Sequence, residues 1–119
     1  LDYAIGNHPT DVLNYLFPSV EVTKNNDMVV GYQRVGTTAA SPLAHGVRYN
    51  VYYDGGTGPS PSSAIRNGDA LSPNQPPPLG TIDLPGTALD PSDDLTVWIA
   101  NAYADSAGTL HPVIGGVKP

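Results

Sequence analysis

Val47-Arg48-Tyr49-Asn50-Val51-Tyr52 is the stretch on which the fold class turns. Its side chains alternate with a period of two, placing Val47, Tyr49 and Val51 on one side of an extended strand. Arg48, Asn50 and Tyr52 fall on the other side, which is the more polar one. A helix would scatter the same residues around its whole circumference, so the pattern reads as β.

Upstream, Ser19-Val20-Glu21-Val22 alternates in the same way, with Val20 and Val22 on one face and Ser19 and Glu21 on the other. Thr23 to Asp27 is a turn, since Asn and Asp bond their own backbone and tolerate positive φ. The strand Met28 to Val35 follows, so the two runs predict an antiparallel hairpin. A polar loop is expected from Gly36 to Gly46. Downstream, Gly86-Thr87-Ala88-Leu89 and Leu95 to Ala100 flank a turn at Asp90-Pro91-Ser92-Asp93-Asp94, and Val113 to Val117 fits a closing strand. Residues 1–16 read as a short helix capped by Thr10 or Asp11, or as an extended arm.

Of the 119 residues, 13 are Gly and 13 are Pro, an excess that excludes a helical bundle. More than half of these lie between Asp54 and Pro91, where only Thr81 to Leu84 looks like a strand. Pro76-Pro77-Pro78 reads as a stiff polyproline II connection. The net charge is −6, and the five cations Lys24, Arg34, Arg48, Arg66 and Lys118 are scattered singly. Binding to nucleic acid or an anionic membrane needs clustered basic residues, so neither partner is expected. The absence of Cys removes disulfides, thiolate metal sites and cysteine nucleophiles. A neutral, Cys-free surface and an opening at Leu1 lead to the expectation of an extracellular or secreted, processed or excised segment.

Pro18 to Val30 aligns without gaps on Pro85 to Val97, at a constant offset of 67 residues. The two share Pro18/Pro85, Asp27/Asp94 and Val30/Val97, and both read strand–turn–strand. The order of segments resembles the last blades of secreted bacterial sialidase-like propellers of the BNR, or Asp-box, type. The resemblance is carried by Pro18-Ser19-Val20-Glu21-Val22, Val29-Val30-Gly31-Tyr32, Val47-Arg48-Tyr49, Asp90 to Trp98, and Ile114 to Lys118. It implies an all-β chain of antiparallel strands forming a propeller-blade-like pair of sheets; the alternative is a self-contained β-sandwich. The expected division is an arm at 1–16, a first β unit at 17–53, a Gly/Pro-rich connection at 54–80 and a second β unit at 81–119. Ile82 to Gly86 departs from the W-G-D-Y-type segment of such propellers, which removes any role those polar residues have elsewhere.

The candidate ligand-binding residues are Arg48, Asn50, Tyr52, Trp98 and Tyr103. Trp98 and Tyr103, with Tyr49, Tyr52 and Tyr53, offer aromatic faces that stack on sugar rings, and Tyr52 shares the polar face with Arg48 and Asn50. A lone Trp in a strand is more often a core residue. Asp90, Asp93 and Asp94 form a candidate Ca²⁺ cluster but lack EF-hand spacing, and Asp in such turns more often accepts backbone N–H groups. No other cofactor is expected.

Sialidase-like hydrolysis uses an arginine cluster and a Tyr paired with an acid, whereas this chain has three Arg and one Glu. Arg34, Arg48 and Glu21 are the residues available, and catalysis by this chain alone is not expected. His8, His45 and His111 are isolated, and no nucleophile-elbow motif occurs.

The reading is a non-catalytic extracellular binding or structural module that works through assembly, with carbohydrate as a candidate ligand. Its expected partners are other β units, either copies of itself or the remainder of a parent protein. Alternatives are a fragment of a sialidase-like hydrolase propeller and a subunit of an extracellular filament.

Overall fold

A computed structural model describes residues 13–38, 41–69 and 85–119. The readings made for residues 1–12, for Pro76-Pro77-Pro78 and for Thr81 to Leu84 lie outside them. The described chain is all β, in seven strands forming two antiparallel sheets. The first sheet is a meander of β1 (Leu13–Val22), β2 (Met28–Thr38), β3 (Ser41–Tyr52) and β4 (Ser63–Arg66). The second is a meander of β5 (Gly86–Leu89), β6 (Val97–Ala104) and β7 (Leu110–Val117).

The alternation at 47–52 has the expected consequence. Val47 and Val51 join Val29, Val97, Ile99 and Val117 in one core between the sheets, with Tyr49, Ile65, Leu89, Tyr103 and Val113 packed against it. Two glycines let the layers close. A Cβ at Gly31 would stand 2.8 Å from Ile99 Cγ2, and one at Gly115 would stand 2.5 Å from Ile65 Cγ2.

Four readings are corrected. Residues 13–16, read as a helix or arm, extend β1, because they pair with residues 33–36 of β2. The polar loop at 36–46 is ladder instead, with Gly36 opposite Leu43 and Thr38 opposite Ser41. In the Gly/Pro-rich region, Ser63–Arg66 forms the edge strand β4, pairing with Val47, Arg48 and Tyr49. Strands β6 and β7 run further than expected, since Tyr103 pairs with His111 and Ala104 with Leu110.

Strand β1 also carries a bulge. Phe17 and Pro18 together oppose Tyr32, and Phe17 adopts φ 50°. Beyond it, Ser19 pairs with Gly31 and Glu21 with Val29 on the core side, while Val20 and Val22 pair with Val30 and Met28 on the outer side.

The sheets are stacked in the same sense, like two cards dealt face up. At the 67-residue offset, outward Val22 corresponds to Leu89, which packs on the core, and outward Val30 corresponds to core Val97. Inward Glu21 corresponds to Ala88, which pairs with exposed Trp98. Both hairpins point the same way, since Lys24 N–H donates to Asp94 O at 3.0 Å across the adjacent turns. Strand β1 lies against β5, and β2 and β3 against β6.

Candidate functional site: a cleft at the turn end

The β1–β2 turn is a compact local structure. Thr23 N–H donates to Asp27 O and Asn26 N–H to Thr23 O, both at 2.9 Å, while Thr23 Oγ1 accepts from Asn25 N–H at 3.3 Å. Asn26 takes φ 63°, a conformation Asn tolerates better than most residues. Asp27 Oδ1 accepts from Asp54 N–H at 2.9 Å, tying this turn to the loop after β3.

That loop is equally well anchored. Gly56 N–H closes a turn on Tyr53 O at 2.9 Å, and Gly55 occupies φ 70°, where a side chain would be strained. Ser60 N–H donates to Val51 O at 2.7 Å, and Ser60 Oγ accepts from Val51 N–H at 2.9 Å.

Between turn and loop lies a cleft of about 370 Å³ lined by Asn26, Met28, Tyr52, Tyr53, Asp54 and Gly56, among others. Met28 and Tyr52 come from the outer face of the first sheet, and Tyr53 stands half exposed at its mouth. Burial, and secondarily the neighbouring Tyr32, raises the Tyr52 phenol above its ordinary pKa, so it remains a neutral hydroxyl at physiological pH. The cleft thus combines two phenols, an amide and a carboxylate on a pre-formed backbone, within the size range of small-molecule sites.

The structure separates the residues singled out from the sequence. Arg48, Asn50 and Tyr52 share the outer face of the first sheet, but Trp98 stands on the outer face of the second. Tyr103 packs inward, with the Arg66 guanidinium 4.7 Å above its ring and the His111 ring 5.5 Å away. The five do not converge, and of them only Tyr52 lines the cleft.

Arg48 and Asn50 are occupied in holding β4 and its preceding loop. Arg48 Nε donates to Ser62 Oγ at 2.8 Å, Nη2 to Ser62 O at 2.7 Å, and Nη1 to Asn67 Oδ1 at 3.0 Å. Tyr32 Oη lies 2.6 Å from Asn50 Oδ1 and 2.7 Å from Ser62 Oγ. A phenol has one proton, and the amide oxygen can only accept; so Tyr32 donates to Asn50, and Ser62 donates to Tyr32. Asn50 Nδ2 completes the chain on Ser60 O at 2.6 Å. Desolvation, then repulsion from Arg34, lowers the Arg48 pKa, so the two guanidinium groups are electrostatic neighbours. Glu21 does not join them, because it lies on the core side of β1.

The Asp90–Asp94 segment directs its carboxylates at its own turn. Asp93 Oδ1 accepts from Leu95 and Thr96 N–H at 2.8 Å each, and Oδ2 accepts from Thr96 Oγ1 at 2.9 Å and Lys118 Nζ at 3.0 Å. Those bonds, the backbone ones foremost, hold its carboxyl far below the usual carboxylate range. The Ser92 hydroxyl first, then Ser92 N–H on Asp90 Oδ1 and Trp98 Nε1 on Oδ2, lower the Asp90 pKa as well. Asp94 takes φ 54° in the turn. Among the described residues, no group of three or more His, Cys, Asp or Glu is arranged to hold a metal ion.

Sequence reasoning missed Asn26 and Asp54, while Tyr53 stands among the aromatic faces it singled out. The usable signal was Tyr52-Tyr53-Asp54-Gly55-Gly56, adjacent aromatics running into a glycine turn. No protein-family model, curated protein or solved structure matches this chain.

Proposed function

We propose that the chain is a non-catalytic binding module of an extracellular protein, and that its ligand is a neutral carbohydrate held in the turn-end cleft. The observation that supports this reading is the pairing of Tyr53, half exposed at the mouth, with Asn26 and Asp54 on a rigid backbone. A pyranose offers an apolar C–H face and a rim of hydroxyls. Aromatic rings stack on the first, and amide and carboxylate oxygens accept from the second. The scarcity of Cys and of surface charge agrees with an extracellular setting.

The test is a glycan array followed by calorimetric titration of hits against wild type and Tyr53→Ala. Loss of the ring face weakens binding by several-fold to about tenfold. Silence across the array, or unchanged affinity in Tyr53→Ala, overturns the reading.

A further inference from the structure

Among the described residues, four of the five large exposed hydrophobic side chains fall in two patches: Val20 (54%) and Val22 (47%) in one, Trp98 (43%) and Ile114 (69%) in the other. The first patch is on the outer face of the first sheet and the second on the outer face of the second sheet. Both open parts lie toward the turn end. Further along each sheet the outer face is already covered, since Tyr32 is buried beneath the Arg48–Ser62 network and Ala102 and Ala104 are fully buried.

The same-sense stacking says what these patches are. Val20 and Val22 correspond in the repeat to Thr87 and Leu89, on the side of the second sheet that packs onto the first. In the other direction, Ser19 and Glu21 on the core side correspond to Gly86 and Ala88 on the second sheet's open face. Among the described residues, one inner-type face is therefore covered by one outer-type face, and one of each kind is left uncovered.

The open face of the second sheet is also shaped for contact. Trp98 pairs with Ala88 on one side and Gly116 on the other, and Ala100 pairs with Gly86 and Ile114. Its indole Nε1 is fixed to Asp90 Oδ2 at 3.0 Å, while its far edge leans over Gly116, where a Cβ would lie 3.2 Å from Cζ3. Held at both ends, the ring lies across the sheet and gives a flat surface, with Ile114 projecting beside it. No member of either patch is charged, so the net charge of −6 does not oppose contact at its centre.

We infer that the chain stacks head to tail on a second copy, with the Trp98/Ile114 face of one molecule covering the Val20/Val22 face of the next. The contact repeats between molecules the packing that the two sheets make within one. It is heterologous, so a pair of copies keeps one open face of each kind, and the series ends in a closed ring or continues as a filament.

Sedimentation of wild type, Val22→Lys, Ile114→Lys and an equimolar mixture of the two variants tests this, with circular dichroism confirming that each variant is folded. Wild type is expected above the single-chain mass of 12.4 kDa, and each variant alone at that mass. The mixture is expected at twice that mass and no higher, because each variant supplies the intact face that the other lacks. Val20→Lys replaces Val22→Lys if the latter does not fold. Monomeric wild type at the highest soluble concentration overturns the inference, as do variants that still associate and a mixture that stays monomeric. The readout is independent of the cleft: Tyr53→Ala is expected to associate like wild type whether or not sugar binds.

Discussion

The β1–β2 and β5–β6 hairpins share one sequence grammar but are closed by different chemistry. In the first, five residues separate the last strand pair, Val22 with Met28; in the second, seven separate Leu89 from Val97. Each turn opens with a side chain that accepts the N–H two residues on, Thr23 from Asn25 and Asp90 from Ser92. The shorter turn then relies on backbone bonds and a hydroxyl. The longer one adds Asp93, which gathers two backbone N–H groups, a hydroxyl and an ammonium. A turn two residues longer has more backbone donors to satisfy, and carboxylates meet that need better than hydroxyls. The lesson is that the repeat conserves direction and stacking sense while leaving turn chemistry free.

The largest effect should come from the position where the hairpins differ most in surroundings. Gly31 faces Ile99 across the core, and its counterpart at the 67-residue offset is outward Trp98. Gly31→Val is therefore expected to cost about 3 kcal/mol in urea unfolding, at the upper end of overpacking. Trp98→Val keeps the sheets in contact and should cost less. Equal losses would mean that the two positions are not on opposite sides of their sheets.

Acid should distinguish the turns next. The Asp93 pKa is depressed by the fold, so its contribution is present above the unfolded value near 3.8 and is lost as pH falls below it. Wild-type Tm should drop between pH 4 and 2 (roughly the span over which unfolded carboxylates protonate), and Asp93→Asn should flatten that drop. An unchanged slope would show that Asp93 does not lock the longer turn. Burial also depresses the pKa of His45, so a separate loss is expected as pH falls below 6.5, absent in His45→Phe. The smallest effect is at Thr23, whose hydroxyl closes the shorter turn. Thr23→Ala should cost about 1 kcal/mol or less, and a larger loss would place this turn on a par with its counterpart.

Alternation made the strands legible, because a period of two survives whatever the strand packs against. The pairs at 47–52 and 86–89 were readable for that reason, and the Asp-rich turn was readable because Asp bonds its own backbone. Alternation does not say which face is inward. Val20 and Val22 look like core residues in sequence, yet the ladder puts them outside and Ser19 and Glu21 inside. Strand β4 was hidden because a four-residue edge strand has almost no pattern of its own, and long-range bonds from Arg48 and Asn50 fix the segment leading into it. Those two residues looked like ligand groups for the same reason: a polar side chain in a strand carries no mark of what it will bond. Trp98 shows the converse, a large aromatic placed outside because its strand alternates about core Val97 and Ile99.

The bulge at Phe17 and Pro18 has a consequence of a different order. A residue inserted into one strand of a ladder inverts the parity of everything that follows it. Upstream, Tyr15 stands opposite outward Arg34 and Leu16 opposite Gln33, whose amide bonds Asn101 in the interior. Downstream, the outward set moves from odd to even numbers. Keep every residue but let the strand run on in strict alternation from its upstream register, with no bulge. Val20 and Val22 would then turn inward, and Ser19 and Glu21 would face solvent. The strained φ at Phe17 thus works as a one-residue toggle between a sheet that hides its valines and one that displays them. Which of the two residue sets this face shows to solvent is decided by that one bulge.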